Sequence, residues 1–197
     1  RGYVYAIKVY DIPESSANAR GKHIKNLISL KDDEKVVTLM ALRDFPEEHH
    51  LVFATSDGTV KKTSLAAYAN IRSNGLIALN IDEGNSLVSV RVSNGQQQIV
   101  LISAQGKAIR FPEEDVRAMG RVATGVRGMR LGTGDRIVDM EVMDPLPDLP
   151  EGVEADESTA EHGMLLTVTE KGYGKRSLLQ DYRLQGRGGS GVINIRA

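Results

Sequence analysis

The chain has 197 residues, of which 41% are apolar and 26% charged, enough for a buried core, and its 20 glycines suit a fold with many turns. It contains no cysteine, which excludes a disulfide scaffold and a Cys-ligated zinc site and suits a reducing cytosol. No apolar run nears the roughly 18 residues of a membrane-crossing helix, nothing reads as a signal peptide, and the formal net charge of −1 marks no strongly basic or acidic class.

In chain order, Arg1–Tyr10 reads as a strand-rich run ending at Asp11-Ile12-Pro13, where the proline forbids a central-strand continuation. After a connector, Arg20 and Lys22 flank Gly21, and Val36–Leu42 reads as the next strand. A second unit runs from Leu51 to Val92. It has an apolar strand, a hairpin turn at Ser56-Asp57-Gly58-Thr59, a basic strand with Lys61 and Lys62, a short helical turn around Ser64–Tyr68, and a loop with Arg72 and Gly75. A third opens at Gln98–Ser103, turns at Gln105-Gly106-Lys107 and continues through Arg110. Pro112-Glu113-Glu114-Asp115 then has the proline and acids of a helix start, and the loop around Gly125 carries Arg121, Arg127 and Arg130.

Asp144–Glu161 breaks this rhythm with seven acids, no Lys or Arg, and Pro145, Pro147 and Pro150. That composition predicts a mobile acidic insertion. Without it the formal charge moves from −1 to +6. The mildly basic remainder fits a polyanion partner, and it fits equally an ordinary solvated surface with one acidic loop. The fourth unit is the clearest: apolar Met164–Thr169, a turn at Gly172, basic Tyr173–Leu178 with Lys175 and Arg176, the glycine-rich loop Gln185-Gly186-Arg187-Gly188-Gly189-Ser190-Gly191, and the alternating Val192–Arg196.

These units are copies of one template. Its turn glycine recurs as Gly2, Gly58, Gly106 and Gly172, at spacings of 56, 48 and 66 residues, and its loop glycine as Gly21, Gly75, Gly125 and Gly191. Taking the 18 residues of the acidic segment from the last interval restores 48. A hairpin alone is marginal in water, so about four such units must bury their faces on one another. The expectation is an all-β, propeller-like array forming a single repeat domain over residues 1–197, cut within a repeat at both ends, with the insertion at 144–161.

No pattern for an active site is present. Gly186–Gly191 satisfies G-x-G-x-x-G, but a dinucleotide site needs a helix opening on it, and Val192–Ile195 is strand-like. The adjacent His49 and His50 read as a surface loop, not a metal site. What stands out is cationic: Arg20, Lys22, Arg72, Arg127, Arg130, Arg187 and Arg196 lie near loop glycines, and Lys61, Lys62, Arg110, Lys175 and Arg176 lie on the basic strands. A tight bend is enough to account for each glycine. Repeated cations beside it fit a rim that tracks a nucleic-acid backbone.

Arg1-Gly2-Tyr3-Val4-Tyr5 through Pro13, Ala19-Arg20-Gly21 with Asn26–Leu30, Val126–Leu131 with Gly134-Asp135, and Gly172-Tyr173-Gly174-Lys175-Arg176 together resemble the C-terminal domains of type IIA topoisomerases, that of the DNA gyrase A subunit first. The resemblance covers nearly all of the chain outside Asp144–Glu161. It implies a β-pinwheel, in which hairpin blades exchange strands with their neighbours. It implies a domain that wraps double-stranded DNA on a basic perimeter, so that a bacterial, cytoplasmic, ATP-dependent enzyme introduces negative supercoils. The ATP and Mg2+ sites then belong to other parts of the parent, with no cofactor or metal in this stretch. The implied partners are the rest of the gyrase A subunit, together with the gyrase B subunit, in a heterotetramer. Gln185–Gly191 resembles a degenerate copy of the family's Gln-Arg-Arg-Gly-Gly-Lys/Arg-Gly box, the intact box being expected upstream of Arg1. The equivalent DNA-bending domain of topoisomerase IV is the alternative, and a protein-interaction propeller the third reading.

Overall fold

The computed structural model describes residues 1–146 and 163–196, so the acidic segment beyond Leu146 lies outside the described residues. The strands are β1 (Gly2–Val4), β2 (His50–Thr55), β3 (Thr59–Ser64), β4 (Leu76–Leu79), β5 (Leu87–Ser93), β6 (Gln98–Ser103), β7 (Lys107–Pro112), β8 (Val126–Arg127), β9 (Ile137–Met143), β10 (Met164–Val168), β11 (Gly174–Leu178) and β12 (Val192–Ile193). The turn glycines close the hairpins. Gly58, Gly106 and Gly172 all take positive φ, and each donates its N–H to the carbonyl three residues back, on Thr55, Ser103 and Thr169.

Consecutive units exchange strands. The sheet of the second repeat has the order β5-β2-β3-β8, and that of the third β9-β6-β7-β12. In each, the last strand is borrowed: β8 follows the loop glycine of repeat three yet pairs with β3 of repeat two, and β12 of repeat four pairs with β7 of repeat three. At the front, β4 of repeat two pairs with β1 of repeat one through Tyr3 and Ile77. All named pairings are antiparallel. This is the all-β pinwheel that the sequence resemblance implied.

Exchange leaves the central strands covered on both faces. Along β2, Leu51 and Phe53 pack toward repeat one with Leu65, Tyr68, Leu79 and Val90. Val52 and Ala54 point the other way, against Ile99, Leu101, Ile109, Phe111 and Met140 of repeat three. A two-sided strand reads as an unbroken apolar run, as His50–Thr55 and Gln98–Ser103 do. A third cluster, Ala108 with Leu165 and Tyr182, joins repeats three and four.

Among the described residues, helix is confined to short 3-10 turns. Those at Val9–Asp11, Leu65–Tyr68, Glu113–Asp115 and Leu179–Asp181 start seven residues after each turn glycine, so they are part of the repeat. The helix start expected at Pro112–Val116 therefore stops after one turn. Far-ultraviolet dichroism should show a sheet spectrum with almost no α-helix; a helical content near the globular average of about a third would contradict the fold.

Two expected strands are absent or shortened. Val36–Leu42 makes no ladder, and Val36, Val37 and Leu39 are largely exposed. In repeats two and three the equivalent strands, β5 and β9, pair with the first strand of the hairpin. Arg1–Tyr10 is a strand only to Val4, after which the chain leaves the sheet for the 3-10 turn.

Candidate nucleic-acid interface

The loops bring one class of cation to the surface. Arg20, Lys22, Arg72, Arg127, Arg130 and Arg196 are exposed, and among the described residues none of them pairs with a carboxylate. Arg127 sits on the borrowed strand β8, opposite Thr59. Arg130 and Arg196 each lie five residues after their loop glycines and recur at one register. Arg20 and Lys22 lie in the fully exposed run 9–23.

Three of the strand cations expected on the rim are buried. Lys61 is 1% exposed, and its ammonium donates to the carbonyls of Ala78 and Arg121 and lies 4.9 Å from the Phe53 ring centroid. Burial pushes its pKa down to about 8. Lys62 donates to the carbonyl of Glu113 and lies 3.5 Å from its carboxylate, which is itself fully buried and accepts from Ser93 Oγ and Gln97 N. Arg110 is also buried; its Nε and one terminal nitrogen have no hydrogen-bond partner, and desolvation lowers its pKa.

For Lys62 and Arg110 the cause is one register. Lys62, Arg110 and Arg176 all stand four residues past the turn glycine. In repeats two and three this position is covered by the next repeat, through isolated parallel bridges to Ala118 and Leu184. Glu113 meets Lys62 from repeat three; the same position in repeat four is Leu179, which brings Arg110 no carboxylate. Lys175 and Arg176 on β11 are exposed. Their register is that of the inter-repeat seam.

The box-like loop is a clasp. Arg187 Nε donates to the Asp115 carbonyl at 2.8 Å, its terminal nitrogen to the Arg127 carbonyl at 3.0 Å, and its backbone N–H to the Asp115 carboxylate. Gly188 N donates to Gly128 O, and Gly189 O accepts from Arg130 N. The guanidinium of Arg187 is thus engaged within the protein, and the loop seats Arg127 and Arg130 beside it. After Gly191 the chain enters β12, so no helix opens on this G-x-G-x-x-G run. Sequence reading left Lys31 and Arg121 out of the cationic set. Arg121 lies four residues before its loop glycine, as Arg187 does, and that shared register was the available signal.

Among the described residues, no His, Asp or Glu cluster could hold a metal ion, and no helix is long and apolar enough to cross a membrane. The family model described as "DNA gyrase C-terminal domain, beta-propeller" matches residues 1–43, 49–94, 97–142 and 163–197. Its breaks fall between the four repeats, and it leaves out the whole acidic segment Asp144–Glu161. The DNA gyrase A subunit of Salmonella typhimurium is 40% identical over 196 residues, that of Escherichia coli K12 likewise, and that of Deinococcus deserti 42% over 198. These alignments take in 99–100% of this chain and 20–23% of the relatives, so the chain spans about a fifth of their length. Among solved structures, the C-terminal domain of a DNA topoisomerase IV matches with a TM-score of 0.78 at 27% identity, over 94% of this chain and 53% of that one. A DNA gyrase A C-terminal domain matches at 0.75 and 25%, over 97% and 56%.

Proposed function

The chain belongs to the DNA gyrase C-terminal domain family, and from that premise we propose that it binds double-stranded DNA along its exposed loop cations and wraps it. The observation that carries this reading is the set Arg20, Lys22, Arg72, Arg127, Arg130 and Arg196. These residues are exposed, unpaired among the described residues, and spread over four successive strand-exchanged repeats. The wrap gives a handedness to strand passage in the parent ATP-dependent enzyme, whose ATP and Mg2+ chemistry lies outside this stretch, in the rest of the gyrase A subunit or in the gyrase B subunit. The gyrase reading is preferred to the topoisomerase IV reading because the 40% relatives are gyrase subunits across the whole chain.

Contacts of this kind read phosphate, not base, because there is no recognition helix among the described residues and arginine near a glycine can approach a backbone closely. Affinity should therefore be nearly independent of sequence and fall with salt by a slope of about −0.9 per phosphate neutralised. Arg72→Gln, Arg127→Gln and Arg130→Gln should each weaken two unrelated duplexes alike and flatten that slope by about one unit. Arg187→Gln should lower stability by about 1–2 kcal/mol through its two lost carbonyl contacts and change the slope little. Titrations of each variant at three salt concentrations test this; unchanged affinity in all the loop variants would refute it.

A further inference from the structure

A cleft of roughly 910 Å3 opens where the first three repeats meet. Strand exchange builds its floor, since Tyr3 of β1 and Ile77 of β4 face each other in the borrowed ladder. Its walls carry three cations, each from a different repeat: Lys31 from the first, Arg72 from the second and Arg121 from the third. The described lining includes no carboxylate. Lys31 Nζ stands 4.3 Å from the Tyr3 ring centroid, a cation held over an aromatic wall. Glu34, nearby, is engaged by the Tyr5 hydroxyl and by Lys31 N. Arg121 is held from beneath, its carbonyl accepting from buried Lys61, which also donates to Ala78 O next to the end of β4.

We propose that this cleft seats a stretch of duplex phosphodiester backbone held by three repeats at once. The proposal rests on the duplex-binding reading and names where on the chain the duplex is gripped. The chemistry favours a polymer over a small anion. None of the lining polar side chains is buried, and the cations come from three separate repeats, so nothing forms an enclosed anion cage. Phosphates recur every ~3.4 Å of helix axis along one strand, so a bound strand can offer a separate phosphate to each of the three cations. A backbone seated there would also tie the β1–β4 junction to the loop of repeat three.

The triple variant Lys31→Gln, Arg72→Gln, Arg121→Gln should flatten the salt slope by between two and three units and weaken duplex binding at 50 mM salt by at least about tenfold. Its melting temperature should stay within a few degrees of the parent, since none of the three side chains is buried. The chain has no cysteine, so Asn74→Cys can carry a tethered iron–EDTA probe without background. Bound duplex should then be cut over a narrow stretch, and tripolyphosphate should compete only as its ionic strength dictates. If the triple variant keeps the parental slope and the probe leaves the duplex uncut, while Lys22→Gln and Arg130→Gln still weaken binding, the cleft proposal is overturned and the duplex reading stands. If neither set of variants matters, both fail.

Discussion

Gly58→Ala should destabilise the chain by about 3–4 kcal/mol, whereas Gly172→Ala, the same change at the same register, should cost only about 1–2. Both glycines take the left-handed conformation, with φ of 86° and 81°, and an alanine pays about 1–2 kcal/mol there. They differ in what lies over them. A Cβ on Gly58 would sit 2.5 Å from the Met129 carbonyl oxygen, while one on Gly172 has nothing within 4 Å. The approach at Gly58 exists because its carbonyl accepts both Gly128 N and Met129 N, the bonds that hold the borrowed strand. Displacing that backbone weakens two hydrogen bonds worth about 1 kcal/mol each. Gly106 repeats the arrangement against Ile195. At about 2–4 °C per kcal/mol for a chain of this size, Gly58→Ala should melt roughly 10 °C lower. Equal losses at Gly58 and Gly172 would mean that the turn glycine serves only the bend.

The second large effect is expected at Glu113. Its carboxylate is fully buried, accepts Ser93 Oγ at 2.6 Å and Gln97 N at 3.1 Å, and lies 3.5 Å from Lys62. Replacing it with leucine strands a buried ammonium, a loss of about 3–5 kcal/mol. Leucine already occupies the same register as Leu65 and Leu179, so the site tolerates its shape. Glu113→Leu combined with Lys62→Met should recover most of the loss, because a buried ion pair can be replaced by apolar groups at little net cost. Urea denaturation of both singles and the double gives the coupling directly. A silent Glu113→Leu would show that the pair is not what secures this seam.

Repeat period, hairpin turns and β class were legible because glycine position and apolar runs report local geometry. Strand exchange was not legible from those signals: Val126–Arg127 and Val192–Ile193 are two-residue strands whose partners lie more than 60 residues earlier. It came from the family resemblance. The cations divide for the same reason. Arg130 in its loop and Arg127 on the two-residue strand β8 remain exposed, whereas Lys61, Lys62 and Arg110 lie on hairpin strands that a neighbouring repeat covers. A basic strand reads as a surface until the borrowed strand and its connector are known. Arg187 misleads differently, because its partners are backbone carbonyls, which carry no mark in the sequence.

Wrapping, as distinct from binding, changes the path of the duplex, and closed circular DNA records it. A nicked plasmid saturated with the chain, ligated and then stripped of protein should give a topoisomer distribution displaced to one side, by an amount that grows with the protein bound. The displacement should shrink in the triple variant of Lys31, Arg72 and Arg121 even at concentrations that restore occupancy. A distribution that stays on the protein-free control at saturating occupancy would contradict the account, leaving a basic surface that holds DNA without bending it round the repeats.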